Sequence, residues 1–450
     1  MPAGLGPEAR HVGVTPQHEG SGAAGLKRVL SWREGAGFTI AAVLGSGILV
    51  LPALTANLAG PGSLLAWAIM AILIVPLAWV LGRLAAAYPH AGGIAEFVRQ
   101  AFGARLGRLT GLLYIATVPM GAPVAALIGA AYLGAAIGLP HAGVMAAAAA
   151  MLFLSILLNV LGVEFSGRTI VFVVIGISLI LLLGVVTAIP HLRLANFSPW
   201  LPHGIWPVGK DVALLFWAFV GWEMLAHMTE EFKNPARDVM RAMFVAMVVV
   251  DLLYLSAAVA TVGTHTYGPG RTANALADLV GLTLGRSGEI LVGILGWLIS
   301  YGTIHTYVAG FSRLVYAEAR IGNLPRWLHQ LHPRRRTPTR ILWLHAVPWT
   351  IVMLWTYLSG VSLATLIAWP SAVFIVLYIL AMASGFRLLD PLQERVLAAI
   401  GVLVSFGALL FLGWTMLYPG AVLLLGAIFW RRHSVMPAHG GPDDPSPCDQ

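Results

Sequence analysis

Gly45-Ser46-Gly47-Ile48-Leu49-Val50-Leu51-Pro52 lies in the middle of an apolar run that extends from about residue 36 to 59. Two glycines flank a serine at the depth where a membrane helix is most apolar, and glycine leaves helical geometry at the least steric cost. Pro52 favours a fresh helix beginning nearby, because proline is tolerated in a first turn and resisted in an interior. In hydrocarbon an unwound segment persists only where its freed N–H and C=O groups meet protein, water or a ligand. The stretch therefore predicts a broken helix beside a cavity at mid-membrane.

A second interruption, Trp217-Ala218-Phe219-Val220-Gly221-Trp222-Glu223, sets a glycine near a carboxylic acid in apolar surroundings. Its place in the chain gives it meaning. A helix crossing the hydrocarbon needs about 20 apolar residues, and twelve runs qualify, at roughly 36–59, 63–84, 109–138, 141–162, 169–190, 210–228, 238–263, 288–315, 341–358, 362–385, 396–411 and 414–430. If spans 1–5 and 6–10 are two halves of opposite orientation, the two breaks occupy corresponding positions. Paired interruptions of this kind are the strongest sequence pointer to a transport site.

The expected fold is thus an all-α integral membrane protein with about twelve transmembrane helices, a five-plus-five inverted repeat and two C-terminal helices. Residues 1–30 and 433–450 read as cytoplasmic tails, 31–385 as the transporter core and 386–432 as helices 11 and 12. Composition agrees: 58% of the 450 residues are hydrophobic and 10% charged, against about 25% charged in soluble domains. The single cysteine, Cys448, excludes an intramolecular disulfide. Residues 1–26 lack the basic-then-apolar order of a cleavable signal, so the first span is expected to be permanent.

The net charge of +8 does not point to nucleic acid, because the basic residues lie between apolar runs. A cytoplasmic N-terminus leaves only Arg193, Lys210, Arg271 and Arg286 of the 27 Lys and Arg on the far side. Basic residues concentrate on the cytoplasmic side of membrane proteins, so both termini are expected there. Arg334-Arg335-Arg336 reads as part of that signal.

The breaks have chemistry of their own. N–H groups opening the second half of span 1 suit an anion, and carbonyls ending the first half of span 6 suit a cation. An amino acid offers both. A branched side chain at Gly47, as in Gly47→Val, is expected to fill the space where a carboxylate approaches.

A charged group at mid-membrane costs roughly 2.5–3.5 kcal/mol even on lenient scales, so each deep acid needs a reason. Glu223 and Asp251 are the acids that fall deep in these runs. Two roles are open to Glu223: proton coupling, or a neutral acid bracing the broken helix. Glu223, His227 and Glu230, spaced four and then three apart, would share one helical face and could form a proton path. Asp251 in span 7 and His305 in span 8 are candidates for a buried pair. Thr303 and Thr306 offer hydroxyls near the first break, which leaves a sodium site conceivable.

Five motifs, in order, carry a family resemblance. They are Gly45-Ser46-Gly47-Ile48; Tyr88-Pro89-His90-Ala91-Gly92-Gly93 with Ala101-Phe102-Gly103; Phe219-Val220-Gly221-Trp222-Glu223; Glu231-Phe232-Lys233-Asn234-Pro235-Ala236-Arg237-Asp238; and Ser312-Arg313-Leu314-Val315-Tyr316 with Gly322-Asn323-Leu324-Pro325 and Thr337-Pro338. The chain from about residue 28 to 430 resembles the amino acid, polyamine and organocation transporter superfamily. The stretch Phe219 to Asp238, with Leu225-Ala226-His227, is most similar to bacterial exporters of methionine and branched-chain amino acids.

The resemblance implies alternating access and proton-driven efflux of neutral apolar amino acids across the inner membrane, by a monomer or homodimer without a resident cofactor. It places carboxylate binding on Val43, Gly45, Ser46 and Gly47, and ammonium binding on Phe219, Val220 and Gly221. Trp217 becomes an aromatic cover and Tyr307 part of a side-chain pocket. The loop motifs read more simply as caps and turns: Asn234-Pro235 as the start of span 7, Gly92-Gly93 and Pro325 as tight bends. An importer or exchanger of the same fold is the main rival. A membrane transferase would need an acid, histidine or metal cluster in the cytoplasmic loops, which offer none.

Overall fold

In the computed structural model, described for residues 30–90, 92–162, 167–268, 275–320, 322–335 and 337–433, helices dominate, and the described residues form no strand beyond an isolated bridge between Leu30 and Phe232. Eight helical stretches among them are long and apolar enough to cross a bilayer. Large apolar side chains such as Ile72, Leu252, Ile351 and Leu403 are exposed, an arrangement that lipid accommodates and water does not.

The first span is broken as its glycines predict. Helix α1 (Trp32–Val43) ends where Leu44 leaves helical geometry, and α2 (Gly47–Ala59) restarts after Ser46. Pro52 corrects the sequence reading: it lies in the second turn of α2 and does not open it. The glycines at 45 and 47 already supply the restart, and at position 52 the ring only removes the donor that would reach the Ile48 carbonyl.

Beyond this lie α3 (Ser63–Ala87), α4 (Gly93–Phe102), α5 (Ala104–Ala116) and α6 (Val118–Ile137), then α7 (His141–Leu161) and α8 (Gly167–Ala188). Pro119 at the start of α6 accompanies the step between α5 and α6. The second break falls after α9 (Trp206–Leu215). Phe216–Gly221 is irregular, and the chain resumes as a 3₁₀ segment, Trp222–Glu231.

Helix α10 (Pro235–Thr264) has Asn234 at its cap position and proline at its first, though the Asn234 side chain makes no capping bond. Helix α11 (Ala275–Arg320) is kinked at Gly285. It is followed by α12 (Thr339–Leu344), α13 (Ala346–Ser359), α14 (Leu363–Leu388), α15 (Leu392–Leu410) and α16 (Leu417–His433).

The core is built around α6 on α11 and around α10 on α1 and α3. Small residues permit the first of these contacts. A Cβ placed on Gly129 would lie 2.5 Å from Ser300 Cβ, and one on Gly293 2.4 Å from Ala136 Cβ. Helices in lipid associate through such close approaches because they gain little from excluding water there.

Candidate functional site

The two breaks touch. Gly221 adopts φ 125°, and a Cβ there would lie 2.7 Å from the carbonyl carbon and oxygen of Ala42. The Tyr254 hydroxyl, from α10, lies 2.8 Å from the Val43 carbonyl oxygen and 3.0 Å from that of Ala218, so one side chain pins both irregular segments. Tyr254 belongs to a buried aromatic group with Phe219 and Trp67, at centroid distances of 5.1 and 5.6 Å.

Beside the breaks lies a void of about 610 Å³, counting the space open to solvent. Val43, Gly45, Ser46, Gly47, Trp217, Val220 and Tyr307, all singled out in the sequence, line it together. The Trp217 indole runs from the first break toward α6: a Cβ on Gly47 would meet its Cδ1 at 3.1 Å, and one on Gly121 its far edge at 3.5 Å.

That geometry also corrects the expectation for Gly47→Val. The side chain would strike Trp217 and the Ala218 backbone, so it would wedge the breaks apart before it filled a carboxylate space. A Cβ on Gly45 would make only ordinary contact, with Thr303 Cγ2 at 3.6 Å and its hydroxyl oxygen at 3.8 Å.

The remaining lining is apolar and was not foreseen: Val118, Ala122 and Ala125 from α6, Ile304, Val308 and Phe311 from α11, and Phe374 from α14. Among the described residues no Asp, Glu, Lys or Arg lines the cavity. Polar character comes from the exposed backbone of the breaks and from the hydroxyls of Ser46, Thr117, Thr303 and Tyr307. The first N–H groups of α2 have no partner within their own helix, as for any helix start.

Phe219 and Gly221 sit behind the cavity wall. The Phe219 ring packs on Trp67 and Tyr254. Its carbonyl lies 3.4 Å from the Tyr378 hydroxyl, which leaves an acceptor position open, since a carbonyl oxygen has two lone pairs.

Glu223 is also behind the wall and fully buried. Tyr378 donates to its Oε2 at 2.7 Å, the Gly221 N–H donates to the same oxygen at 2.9 Å, and Tyr114 donates to Oε1 at 3.1 Å. Tyr114 in turn packs on the cavity residues Phe311 and Phe374, with centroids 5.3 and 6.1 Å apart. The acid thus braces the second break and connects to the cavity through one tyrosine. Neither tyrosine could be read as a partner, because a lone Tyr in an apolar run gives no signal of what it meets.

After Gly221 the chain does not continue as the α-helix that the spacing of Glu223, His227 and Glu230 assumes. Residues 222–231 form a 3₁₀ helix, in which residues three apart eclipse, and a spacing of four turns the chain about a third of a revolution further. The His227 and Glu230 side chains themselves lie outside the described residues, as does Cys448.

The Asp251–His305 pair is not formed either. His305 Nδ1 lies 3.0 Å from Asn159 Nδ2 on α7, while Asp251 Oδ1 is buried without a hydrogen-bond partner. Their helices present the two residues to different neighbours. A third acid went unnoticed: Asp211 on α9 is fully buried, and both of its oxygens lack partners. Its place near the end of a run concealed its depth.

Thr303 lines the cavity and donates to the Ile299 carbonyl at 3.1 Å, whereas Thr306 donates to Gly302 at 2.9 Å and is not part of the lining. Among the described residues no group of three His, Cys, Asp or Glu gathers to hold a metal.

Residues 30–430 match the amino acid permease family. The chain is 38% identical to the uncharacterized amino acid permease YecA of Bacillus subtilis, over 90% of this chain and 96% of that one. It is 32% identical to the L-methionine/branched-chain amino acid exporter YjeH of Escherichia coli, over the same shares. The branched-chain amino acid permease BcaP of Bacillus subtilis is 26% identical over 92% of this chain and 95% of its own. These relatives are permeases and exporters, not enzymes. A broken-helix cavity without catalytic groups agrees with them, and this membrane chain belongs to the amino acid permease family, within the amino acid, polyamine and organocation superfamily.

Proposed function

We propose that this protein exports neutral apolar amino acids, namely methionine, leucine, isoleucine and valine, in exchange for protons. It works by alternating access through an inverted repeat of two five-helix halves, followed by two further helices. The observation that carries this reading is the cavity itself, bounded by the two breaks, with a few hydroxyls and an otherwise apolar lining. The N–H groups opening α2 receive the carboxylate, and the carbonyls of the second break receive the ammonium group. Phe311, Phe374 and Val308 surround an unbranched thioether or a branched aliphatic side chain.

With no acid in the lining, a second positive charge on the substrate would go uncompensated, so arginine, lysine and polyamines are poor substrates. Glu223, one tyrosine removed from the cavity, is the coupling acid. Export and substrate class are supported by the name of the Escherichia coli relative. Both termini lie in the cytoplasm, a reading supported by the distribution of basic residues, and the membrane is the bacterial inner membrane, a reading supported by the bacterial relatives.

The test is efflux of labelled methionine and leucine from loaded proteoliposomes, with and without an imposed pH gradient. Efflux should accelerate with protons supplied from the trans side and should not respond to replacing sodium with choline. Efflux indifferent to the pH gradient, or labelled lysine leaving as fast as leucine, would refute the proposal.

A further inference from the structure

At the hairpin joining α14 to α15, a groove opens on the outer surface of the bundle. It is lined by Phe102, Phe386, Arg387, Arg395, Ala399 and Leu403, among others. Its chemistry is graded along the helix axes. Arg387 is the penultimate residue of α14 and Arg395 is in the first turn of α15, so both stand at the hairpin end. Ala399 and Leu403 lie one and two turns deeper, roughly 6 and 12 Å at about 1.5 Å per residue. Phe386 and Leu403 are 52% and 71% exposed, so the deep part of the groove is apolar surface open to whatever surrounds the protein.

The two guanidinium groups have charge to spare. Arg395 Nε donates to the Leu389 carbonyl at 2.9 Å, and Arg387 lies over the Phe102 ring at 5.4 Å. Among the described residues neither forms an ion pair. The nearby Glu394 is taken by Arg83 of α3, and the exposed Asp390 in the turn pairs with neither arginine. Arginine presents a planar fork of donors that matches phosphate oxygens. Two other outward grooves among the described residues differ. The one between α7 and α13 is lined without a charged residue, and the one by Trp32 and Trp79 includes only Arg241.

We propose that the α14–α15 groove is a binding site for an anionic glycerophospholipid, with the headgroup phosphate between Arg387 and Arg395 and an acyl chain along Ala399 and Leu403. Two cations at the interface above an apolar channel match a lipid of that charge in both position and depth. The site is separate from the cavity between the breaks and does not depend on the transported substrate.

The test uses the full chain purified in detergent and native mass spectrometry with added phosphatidylglycerol, phosphatidylcholine of the same acyl chains, or inorganic phosphate. Wild-type protein should retain phosphatidylglycerol in preference to phosphatidylcholine, and inorganic phosphate should not displace it. R387Q/R395Q should weaken retention by roughly thirtyfold, the loss two basic residues at an anionic surface imply. R387K/R395K should recover most of it, and R241Q, at the other groove, should leave it unchanged. The proposal is overturned if R241Q and R387Q/R395Q lower retention equally, if phosphate alone displaces the lipid, or if R387Q/R395Q instead dissociates a dimer held on this face.

Discussion

Gly221→Ala places a methyl group where the two broken spans meet. The residue sits at φ 125°, and its Cβ would lie 2.7 Å from the Ala42 carbonyl and 2.9 Å from the Val43 nitrogen. Both obstacles are backbone, so no side chain can rotate aside. A sparsely populated backbone conformation costs about 1–3 kcal/mol, and forcing extra volume into a packed core costs about 1–3 kcal/mol more. The expected loss is therefore about 2–6 kcal/mol, a large share of the roughly 5–15 kcal/mol that holds a typical domain folded.

Gly45→Ala is the control within the same site. Its Cβ would make only ordinary contact with Thr303, at 3.6 and 3.8 Å, and its φ is not positive. Its effect on stability should thus stay within about 1 kcal/mol of zero. Unfolding in detergent followed by intrinsic fluorescence measures stability, and proteoliposome efflux measures function. Gly221→Ala should unfold much more readily than wild type. Gly45→Ala should remain as stable as wild type and lose transport, because its methyl group enters the cavity. A stable, active Gly221→Ala would refute the contact between the breaks, and an unimpaired Gly45→Ala would refute the placement of the substrate.

Three further outcomes are expected. Tyr378→Phe removes the donor 2.7 Å from Glu223 and should cost about 1.5–3 kcal/mol if the acid is ionised and about 0.5–1.5 if it is neutral; a double-mutant cycle with Glu223→Leu, which removes the acceptor, that is additive within about 0.5 kcal/mol would show that the bond contributes nothing. Glu223→Gln keeps an acceptor for Tyr378 and the Gly221 N–H and the shape of the acid but not its proton, so methionine should still bind while the pH dependence of efflux flattens, and an unchanged pH profile would leave Glu223 a brace alone. Cys448 should resist an impermeant thiol reagent in intact cells and react after permeabilisation; labelling without permeabilisation would reverse the orientation inferred from the basic residues.

What the sequence could reveal depended on whether a residue's signal was local. Gly45-Ser46-Gly47 and residues 217–223 announce their breaks because glycine and isolated polar residues are conspicuous within apolar runs, and the helices end near those places. Trp217 and Tyr307 came from the family resemblance. Val118, Ala122, Ala125 and Phe374 did not, because an apolar side chain on an apolar helix looks the same whether it faces a cavity, a neighbour or lipid. Tyr114, Tyr254 and Tyr378 act across more than one helix, and such pairings have no trace in spacing. The spacing of Glu223, His227 and Glu230 assumes an α-helical period, whereas the chain after Gly221 adopts a tighter one; the His227 and Glu230 side chains lie outside the described residues. Asp251 and His305 were matched by depth, which does not fix the direction in which a side chain leaves its helix.

The central claim is that the two ends of an amino acid are held by the two breaks. It is tested most directly by binding of labelled L-leucine to the purified full chain, competed by leucinol, which lacks the carboxylate, and by N-acetyl-leucine, which lacks the ammonium group. Unlabelled leucine and methionine should displace the label, and each analogue should compete at least tenfold less well, the consequence of about 1.4 kcal/mol lost at one break. Leucinol or N-acetyl-leucine competing as well as leucine would contradict the account, because the break whose partner group is missing would then contribute nothing to recognition.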